Sequence, residues 1–535
     1  MNKTTITTIA ALFFYFCAFA QEAKNKEEKK LPNIVMILVD DMGYSDIGCY
    51  GGEVKTPHLD RLAKQGIRFT QFHNTAKCFP SRATLLTGLY AQDCGMSRGF
   101  QRFTHGVTLG EVLKGAGYRT LASGKHHSKE SLYDRGFDRY FGLLDGATNH
   151  FNPGLPRAGE PKPAQKLPGK RSWALDKKVV KPYTPPEKNF YSTDAYTQRA
   201  LEYLDQYKGE EKPFFLYLSY TAPHDPLQAW PEDIAKYADT YKVGYEAIRK
   251  ARIAKLKALG LLDEKTAVTP PAHKSWYKLS ANQQAVEARR MAVYAAMIDR
   301  VDQKVGELVA KLKDLGELDN TLILFAADNG CSAEVPELKM HKAGQRAGNG
   351  LPIETIGQMD YWASLGRDWA NVSNTPFQKT KSSSYQGGIC TPFIAYWPKG
   401  IAKPGTINRT FTGHFIDVMA TLVELTGAKY PSEFKGAKVP PMAGVSFLPQ
   451  LKGDLTSSRN KDLYWQWGTG RALRQGKWKA VANGKKWQLF DMSSDVNETV
   501  DLSKKYPEKL AAMQQQWAQW YESTAAAKSE TKKKK

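Results

Sequence analysis

The stretch IVMILVDDMG, Ile34 to Gly43, decides the fold. Six apolar residues run without a break and end in two aspartates. Its length is that of a strand, and unbroken apolarity marks a strand buried on both faces, as in a parallel sheet covered by helices. The same pattern recurs twice. FFLYLSY (Phe214 to Tyr220) leads into Thr221-Ala222-Pro223-His224, and TLILFAA (Thr321 to Ala327) leads into Asp328-Asn329-Gly330. Phe393 to Trp397 reads as a further strand. Helices read between them: Thr56 to Gly66, started by Pro57 and closed by Gly66; Arg82 to Thr87; Leu109 to Gly115; the amphipathic Ala285 to Leu315; and Ile416 to Leu425, closed by Gly427. Strands alternating with helices predict a large, mostly parallel sheet flanked on both faces.

Working outward, Pro153 to Pro186 holds eight prolines and many lysines, and Pro336 to Asn374 is polar and irregular. Long loops of this kind are often functional rims. After Leu451 the character changes. Leu463 to Trp467, Gly476 to Val481 and Trp487 to Asp491 read as short antiparallel strands, and Pro507 to Tyr521 as a closing helix. No repeat at a fixed period is present.

The N-terminus has Lys3, an apolar run from Ile9 to Phe19 and an Ala18-Phe19-Ala20 cleavage site, the features of a secretory signal peptide cut after Ala20. No later segment is apolar over the ~18 residues a transmembrane helix needs. The organisation expected is a signal peptide (1–20), a charged linker (21–30), a catalytic domain (31–451), a C-terminal α+β subdomain (452–524) and a Lys-rich tail (525–535). That places the mature protein in the periplasm or outside the cell. Five cysteines then remain, Cys49, Cys78, Cys94, Cys331 and Cys390. An odd count in an exported chain sets one thiol apart, and Cys78 is the candidate; if the other four pair, three connectivities are open. The 535 residues carry a formal charge of +22. Part of it lies in Lys-rich ends, and the remainder suits a polyanionic substrate. Nothing reads as a nucleic-acid module.

Open α/β sheets bind ligands beyond the carboxyl ends of their strands. Asp40-Asp41, His224 and Asp328-Asn329 each follow a strand, so they converge if those strands are neighbours. Oxygen ligands alone select a hard cation, Ca²⁺ or Mg²⁺, over zinc. Either pair alone is also what turns use; two pairs on buried strands point to a site.

The stretch CFPSRATLLTG, Cys78 to Gly88, adds the decisive motif. Cys78-x-Pro80-Ser81-Arg82 followed by Leu86-Thr87-Gly88 resembles the signature of the type I, formylglycine-dependent sulfatases of the alkaline phosphatase superfamily. The order Asp40-Asp41, Cys motif, Gly124-Lys125-x-His127, Ala222-Pro223-His224, Asp328-Asn329-Gly330, Lys381 and Gly387-Gly388-Ile389-x-Thr391-Pro392 is similar too, from Leu31 to Tyr521. Ala370 to Phe377 (ANVSNTPF) resembles the bacterial arylsulfatase type.

The resemblance implies an alkaline-phosphatase-like α/β sandwich with a small C-terminal antiparallel sheet. It implies oxidation of Cys78 to formylglycine (3-oxoalanine) by a maturation enzyme that reads Pro80 and Arg82. The hydrated aldehyde has one hydroxyl to attack sulfur and a second to expel sulfate afterwards, which a serine lacks. Asp40, Asp41, Asp328 and Asn329, with the modified Cys78, are implied ligands of Ca²⁺ ahead of Mg²⁺. Arg82 is implied to steady the hydrated aldehyde, and Lys125 and Lys381, with His224, to bind the sulfate ester. Asp328 is implied to assist deprotonation of the nucleophile. His224 is implied as general acid for the leaving alcohol, and His127 as base for sulfate elimination.

Two departures stand out. His126 replaces the usual aromatic residue beside His127, and Gln386 replaces the usual Glu before the double glycine, removing a charge near Lys381. Asn149-His150 and His73-Asn74 fall where substrate loops are expected. The expected reaction is hydrolysis of an aryl sulfate or sulfated carbohydrate. The alternatives are a phosphodiesterase or phosphonate monoester hydrolase of the same superfamily, and an inactive binder of sulfated glycans.

Overall fold

The computed structural model describes residues 30–526. The expected signal peptide, nearly all of the linker and the tail past Ala526 lie outside the described residues. Residues from Asn33 onward form one unit that carries every element below.

The large sheet is built from β1 (Asn33–Val39), β2 (Ile67–His73), β3 (Arg119–Gly124), β4 (Arg139–Leu143), β5 (Trp173–Leu175), β6 (Lys178–Val180), β7 (Phe214–Ser219), β8 (Thr321–Ala327), β9 (Cys390–Tyr396) and β10 (Thr406–Asn408), with a two-residue β11 (Gly413–His414) beside β2. The order in space is β10-β2-β9-β8-β1-β7-β3-β4-β5-β6. The run β8-β1-β7-β3-β4 is parallel, and β9 runs antiparallel to both β8 and β2. Every residue of β1 is buried, which is why its sequence shows no alternation. The Pro-rich segment contributes β5 and β6, a hairpin that extends the sheet edge.

Around the sheet lie α1 (Pro57–Gln65), α2 (Cys78–Thr87), α3 (Leu109–Gly115), α4 (Ser192–Gln206), α5 (Gly244–Ala258), α6 (Ala281–Asp314) and α7 (Ile416–Thr426). Helices α1, α4 and α6 share one core with Val35, Ile37 and Val39 of β1. Ile34, Met36 and Leu38 are equally buried, so the sheet is covered on both faces. Helix α6 begins four residues earlier than its apolar pattern predicts, because Ser280 and Gln283 form a capping box. Helix α2 begins at Cys78 itself rather than at Arg82, and all ten of its residues are buried. It stops at Gly88, where φ is +68° and a Cβ would meet Met419 Cβ at 2.5 Å.

The C-terminal segment forms a four-stranded antiparallel sheet, β12 (Leu463–Trp467), β13 (Gly470–Gln475), β14 (Trp478–Asn483) and β15 (Trp487–Asp491). The expected strand at Gly476 to Val481 is shifted by two residues, because Gly476 makes the turn between β13 and β14. Leu473, Ala480 and Leu489 on one face pack against Met513 and Trp517 of α8 (Pro507–Ser523). Trp465, Ala472, Val481 and Phe490 on the other pack against Tyr385, Ile389 and Ile416 of the larger layer. Full burial of one such large side chain stabilises by about 1.5–3 kcal/mol, enough for several to seat the small sheet firmly.

Candidate active site

The parallel register brings the site together. Val39 of β1 pairs with Ala327 of β8, and Leu38 with Ser219 of β7; Ser219 in turn pairs with Gly124 of β3. Four adjacent strands therefore end in one row. Backbone bonds carry the row past the strand ends: Asp328 N–H donates to Val39 O at 3.0 Å, Asp40 N–H to Ala222 O at 3.1 Å and Lys125 N–H to Ser219 O at 2.7 Å. Asp40, Asp41, Lys125, His224, Asp328 and Asn329 thus meet at one edge of the sheet. Helix α2 brings Cys78 and Arg82 to it, and the loop before Gly387 brings Lys381.

Three buried carboxylates face three buried cations. Arg82 grips Asp328 Oδ2 through Nε and an Nη, each at 2.8 Å, and donates to Lys125 O at 2.8 Å and to Ser219 Oγ. Lys381 Nζ lies 2.6 and 2.8 Å from the two oxygens of Asp41. Lys125 Nζ pairs with Asp40 Oδ2. Asn329 Nδ2 donates to Asp41 Oδ1 at 2.6 Å. Asp41 has φ +65°, a conformation Asp tolerates better than most residues, and its N–H turns toward Asp328 Oδ1 at 3.4 Å.

Asp40 Oδ1 and Asn329 Oδ1 are buried with no hydrogen-bond partner. Two oxygen acceptors sealed from water are costly unless a cation takes them. Asp40, Asp41 and His224 also bring a ligand atom each within 4.8 Å of one another. The residues present fit a divalent cation, and with the six charged groups balanced it leaves the centre net positive, suited to an anionic ester.

The protonation states follow from these neighbours. Burial raises the pKa of Asp40, but Lys125, His224 and Arg82 outweigh it and hold the group far below the carboxylate range. Asp328 is pushed up, by burial first and then by the Asp40 charge. Burial lowers His224, yet Asp41 and Asp40 overcome it and raise the group above an ordinary histidine. His224 Nε2 lies 3.5 Å from Asp41 Oδ2, and Nδ1 lies 2.9 Å from Asp225 Oδ1. His127 is driven well below its ordinary value by burial, Lys125 and Arg82, so it is neutral. Its Nδ1 has no partner, and its ring lies between Phe79 and Phe100 with Gly146 against one edge. Burial raises the Cys78 thiol, and the charges of Lys125 and Lys381 pull it back.

Several expectations change here. The five cysteines among the described residues are buried and free, so none of them forms a disulfide with another and the odd count singles out nothing; Cys78 is set apart by its place at the start of α2. Gln386 does not face Lys381. Its Oε1 accepts from Lys479 Nζ at 3.3 Å and lies 3.1 Å from His73 Nε2, while Glu498 pairs with Lys479 at 2.6 Å. The charge that Gln386 lacks is supplied to Lys479 from the C-terminal segment. His73 and Asn74 are buried and held by Gln386, Gly413 and Ala76, and Asn149 by Ala164 and Met359, so none is a free substrate contact. His150 Nε2 sits 3.1 Å from His224 O and braces that loop. Both nitrogens of His126 are buried without partners, its ring packed edge-on to Phe103 and Tyr140.

Sequence reasoning passed over Asp225. It orients His224, and Trp362 Nε1 and Ser364 Oγ, from the irregular segment 336–374, fix its Oδ2 at 3.2 and 3.0 Å. Its place directly after His224 was the available signal.

The family profile described as Sulfatase matches residues 32–428. An arylsulfatase of Klebsiella aerogenes is 36% identical over 475 residues, covering 83% of this chain and 96% of that enzyme. An uncharacterized sulfatase of Schizosaccharomyces pombe is 32% identical over 536 residues, covering 92% and 94%. Among solved structures, Ps i-CgsB in complex with k-i-k-neocarrahexaose is 25% identical, with a TM-score of 0.64 over 93% of this chain and 94% of its own.

Proposed function

The chain belongs to the sulfatase family and is a sulfuric ester hydrolase, and on that premise we propose an exported enzyme that uses Cys78, matured to formylglycine, to cleave carbohydrate or aryl sulfates to an alcohol and inorganic sulfate. The observation that carries this reading is the surroundings of Cys78: a buried helix start on which the charges of Lys125, Lys381, Asp40 and Asp328 all act.

Asp40, Asp41, Asp328 and Asn329 would hold a divalent cation, Ca²⁺ ahead of Mg²⁺, since every donor is a hard oxygen. When bound, the cation supplies positive charge to a sulfate oxygen and to the nucleophile. Matured Cys78 would supply a hydroxyl nucleophile and a second hydroxyl that lets sulfate leave. The remaining work falls to side chains already in place. Lys125 and Lys381 present preorganised charge to the sulfate oxygens in a water-poor centre. Arg82 fixes Asp328 and the Lys125 carbonyl and so sets their positions. Asp328 takes a proton from the nucleophile. His224, raised by Asp41 and aimed by Asp225, donates a proton to the leaving oxygen. His127, neutral, accepts one when sulfate departs.

A charge of +22 supports a polyanionic, sulfated glycan as substrate, as does the sulfatase-fold neighbour whose structure contains an oligosaccharide. Export rests on the N-terminal sequence; among the described residues no helix is long and apolar enough to cross a membrane.

The test is the mass of the tryptic peptide CFPSR, Cys78 to Arg82, from protein coexpressed with a formylglycine-generating enzyme. Expected is the loss that replaces CH2SH by CHO, with labelling by an aldehyde reagent and turnover of sulfate esters. A retained thiol after maturation by the native source removes the nucleophile. Faster turnover of phosphate than sulfate esters favours a phosphoesterase, and no turnover by converted protein favours a glycan binder.

A further inference from the structure

A cleft of about 780 Å³ lies between the large sheet and the C-terminal segment, and none of the proposed catalytic residues lines it. Thr70 and Gln71 of β2, Arg474 and the Gly476 turn are among the residues that line it. Arg474 is 8% exposed. Its Nε donates to Gly476 O at 2.6 Å and one Nη to Gln71 Oε1 at 3.4 Å. Among the described residues no carboxylate lies within ion-pair distance of it. The two acidic groups whose charge reaches it, Glu498 and Asp491, are each bound to a lysine of their own, Lys479 at 2.6 Å and Lys477 at 2.9 Å. Burial lowers Arg474 to about 10, which leaves it charged at neutral pH.

A second guanidinium lines the same cleft, with a counter-charge of its own but one donor left over. It is that of Arg459, whose side chain is 4% exposed. Asp417 Oδ2 accepts from one Nη at 2.6 Å and Lys461 O accepts from Nε at 2.9 Å, while the other Nη is buried with no partner. A buried cation without a counter-charge is destabilising and is usually paired or bound to an anion. Guanidinium donors in fork geometry match the oxygens of sulfate and its esters.

We propose that this cleft is a second oxyanion site, which binds a sulfate group of a sulfated oligosaccharide through Arg474 and Arg459 while another sulfate occupies the catalytic centre. The choice of saccharide rests on the sulfated-glycan reading above; the oxyanion chemistry rests on the two arginines. The cleft is far larger than one sulfate ion and falls in the size range of sites that hold ring-sized ligands.

The experiment is isothermal titration of full-length Cys78→Ala, which cannot turn over, with a sulfated hexasaccharide, its desulfated counterpart and inorganic sulfate. Arg474→Gln in that background is expected to weaken hexasaccharide binding roughly tenfold or more, the loss of one charge-assisted contact. In the otherwise unaltered enzyme it leaves nitrophenyl sulfate turnover within about twofold, since Arg474 touches no catalytic residue. Should Arg474→Gln not fold, Gln71→Glu neutralises the same guanidinium in place and is expected to give the same loss. Saturable binding of inorganic sulfate alone, abolished by Arg474→Gln, assigns the cleft to the free ion and overturns the saccharide choice. Unchanged hexasaccharide and sulfate affinities in both variants overturn the proposal. Failure to hydrolyse any sulfate ester counts against the sulfatase reading alone, because the cleft is judged by binding.

Discussion

His224→Gln separates the two roles its position allows. Nε2 faces Asp41 at 3.5 Å, within the cluster that could hold a metal, and Nδ1 is fixed by Asp225 at 2.9 Å. As general acid, His224 matters only where the leaving oxygen must be protonated. General-acid catalysis contributes about 10²–10⁴ in rate, roughly 3–5 kcal/mol of barrier. An alkyl or sugar sulfate leaves as a strongly basic alkoxide unless protonated, so His224→Gln is expected to lose that full range with it. A nitrophenolate is stable enough to leave unprotonated, so its loss is expected to stay within about tenfold, or ~1.4 kcal/mol. The assay is kcat/KM for a series of sulfate esters of rising leaving-group basicity, in the parent and the variant. A steeper dependence in the variant is the expected result. Equal losses across the series, restored by excess divalent cation, would refute the acid role and make His224 a ligand.

Four further outcomes are expected. Cys78→Ala abolishes turnover but leaves the unfolding free energy within about 1 kcal/mol of the parent by urea titration, because one buried sulfur is replaced within a helix that favours Ala. Glu498→Gln leaves Lys479 buried without a counter-charge and costs about 3–5 kcal/mol by the same titration; a loss under ~1 kcal/mol contradicts the pairing. Gly146→Ala places a Cβ 2.6 Å from His127 Cε1 and Nε2 and is expected to lower kcat about tenfold or more, with Arg82 and Lys125 untouched. Acid lability follows from His73, His126 and His150, which burial lowers to about 3, 3 and 4. The unfolded chain then binds more protons than the folded one below the ordinary imidazole value of about 6.5, so stability is present above that pH and lost as pH falls. One unit below, each histidine costs roughly 1.4 kcal/mol, and Asp302, which burial raises to about 7, offsets part of the loss over the same range; a flat unfolding free energy between pH 7 and 5.5 would contradict it.

The parallel core was legible because strands buried on both faces must be apolar throughout, and β1, β7 and β8 are. Strand β3 was not, since RTLASG offers only Leu121 and Ala122 as strong signals, and its place is set by pairing with β7. Strand β9 runs antiparallel inside a mostly parallel sheet, a direction no local pattern encodes. The residues that meet at the strand ends were legible by motif, but the anchoring of Asp225 by Trp362 and Ser364, the pairing of Glu498 and the resting place of Gln386 were not, because each depends on a partner far away in the chain.

What the sequence by itself determined is the chemistry: a Cys78 motif, paired Asp at one strand end, Asp-Asn at another, and histidines and lysines spaced between them. Those are properties of residue type and local order. Only the tertiary structure decided which charges cancel, that Lys381 lies on Asp41 and Arg82 on Asp328, and that, among the described residues, five cysteines stay unpaired and Arg474 has no counter-charge. Electrostatic energy depends on distance and burial, and both are set by strand register and packing between segments hundreds of residues apart.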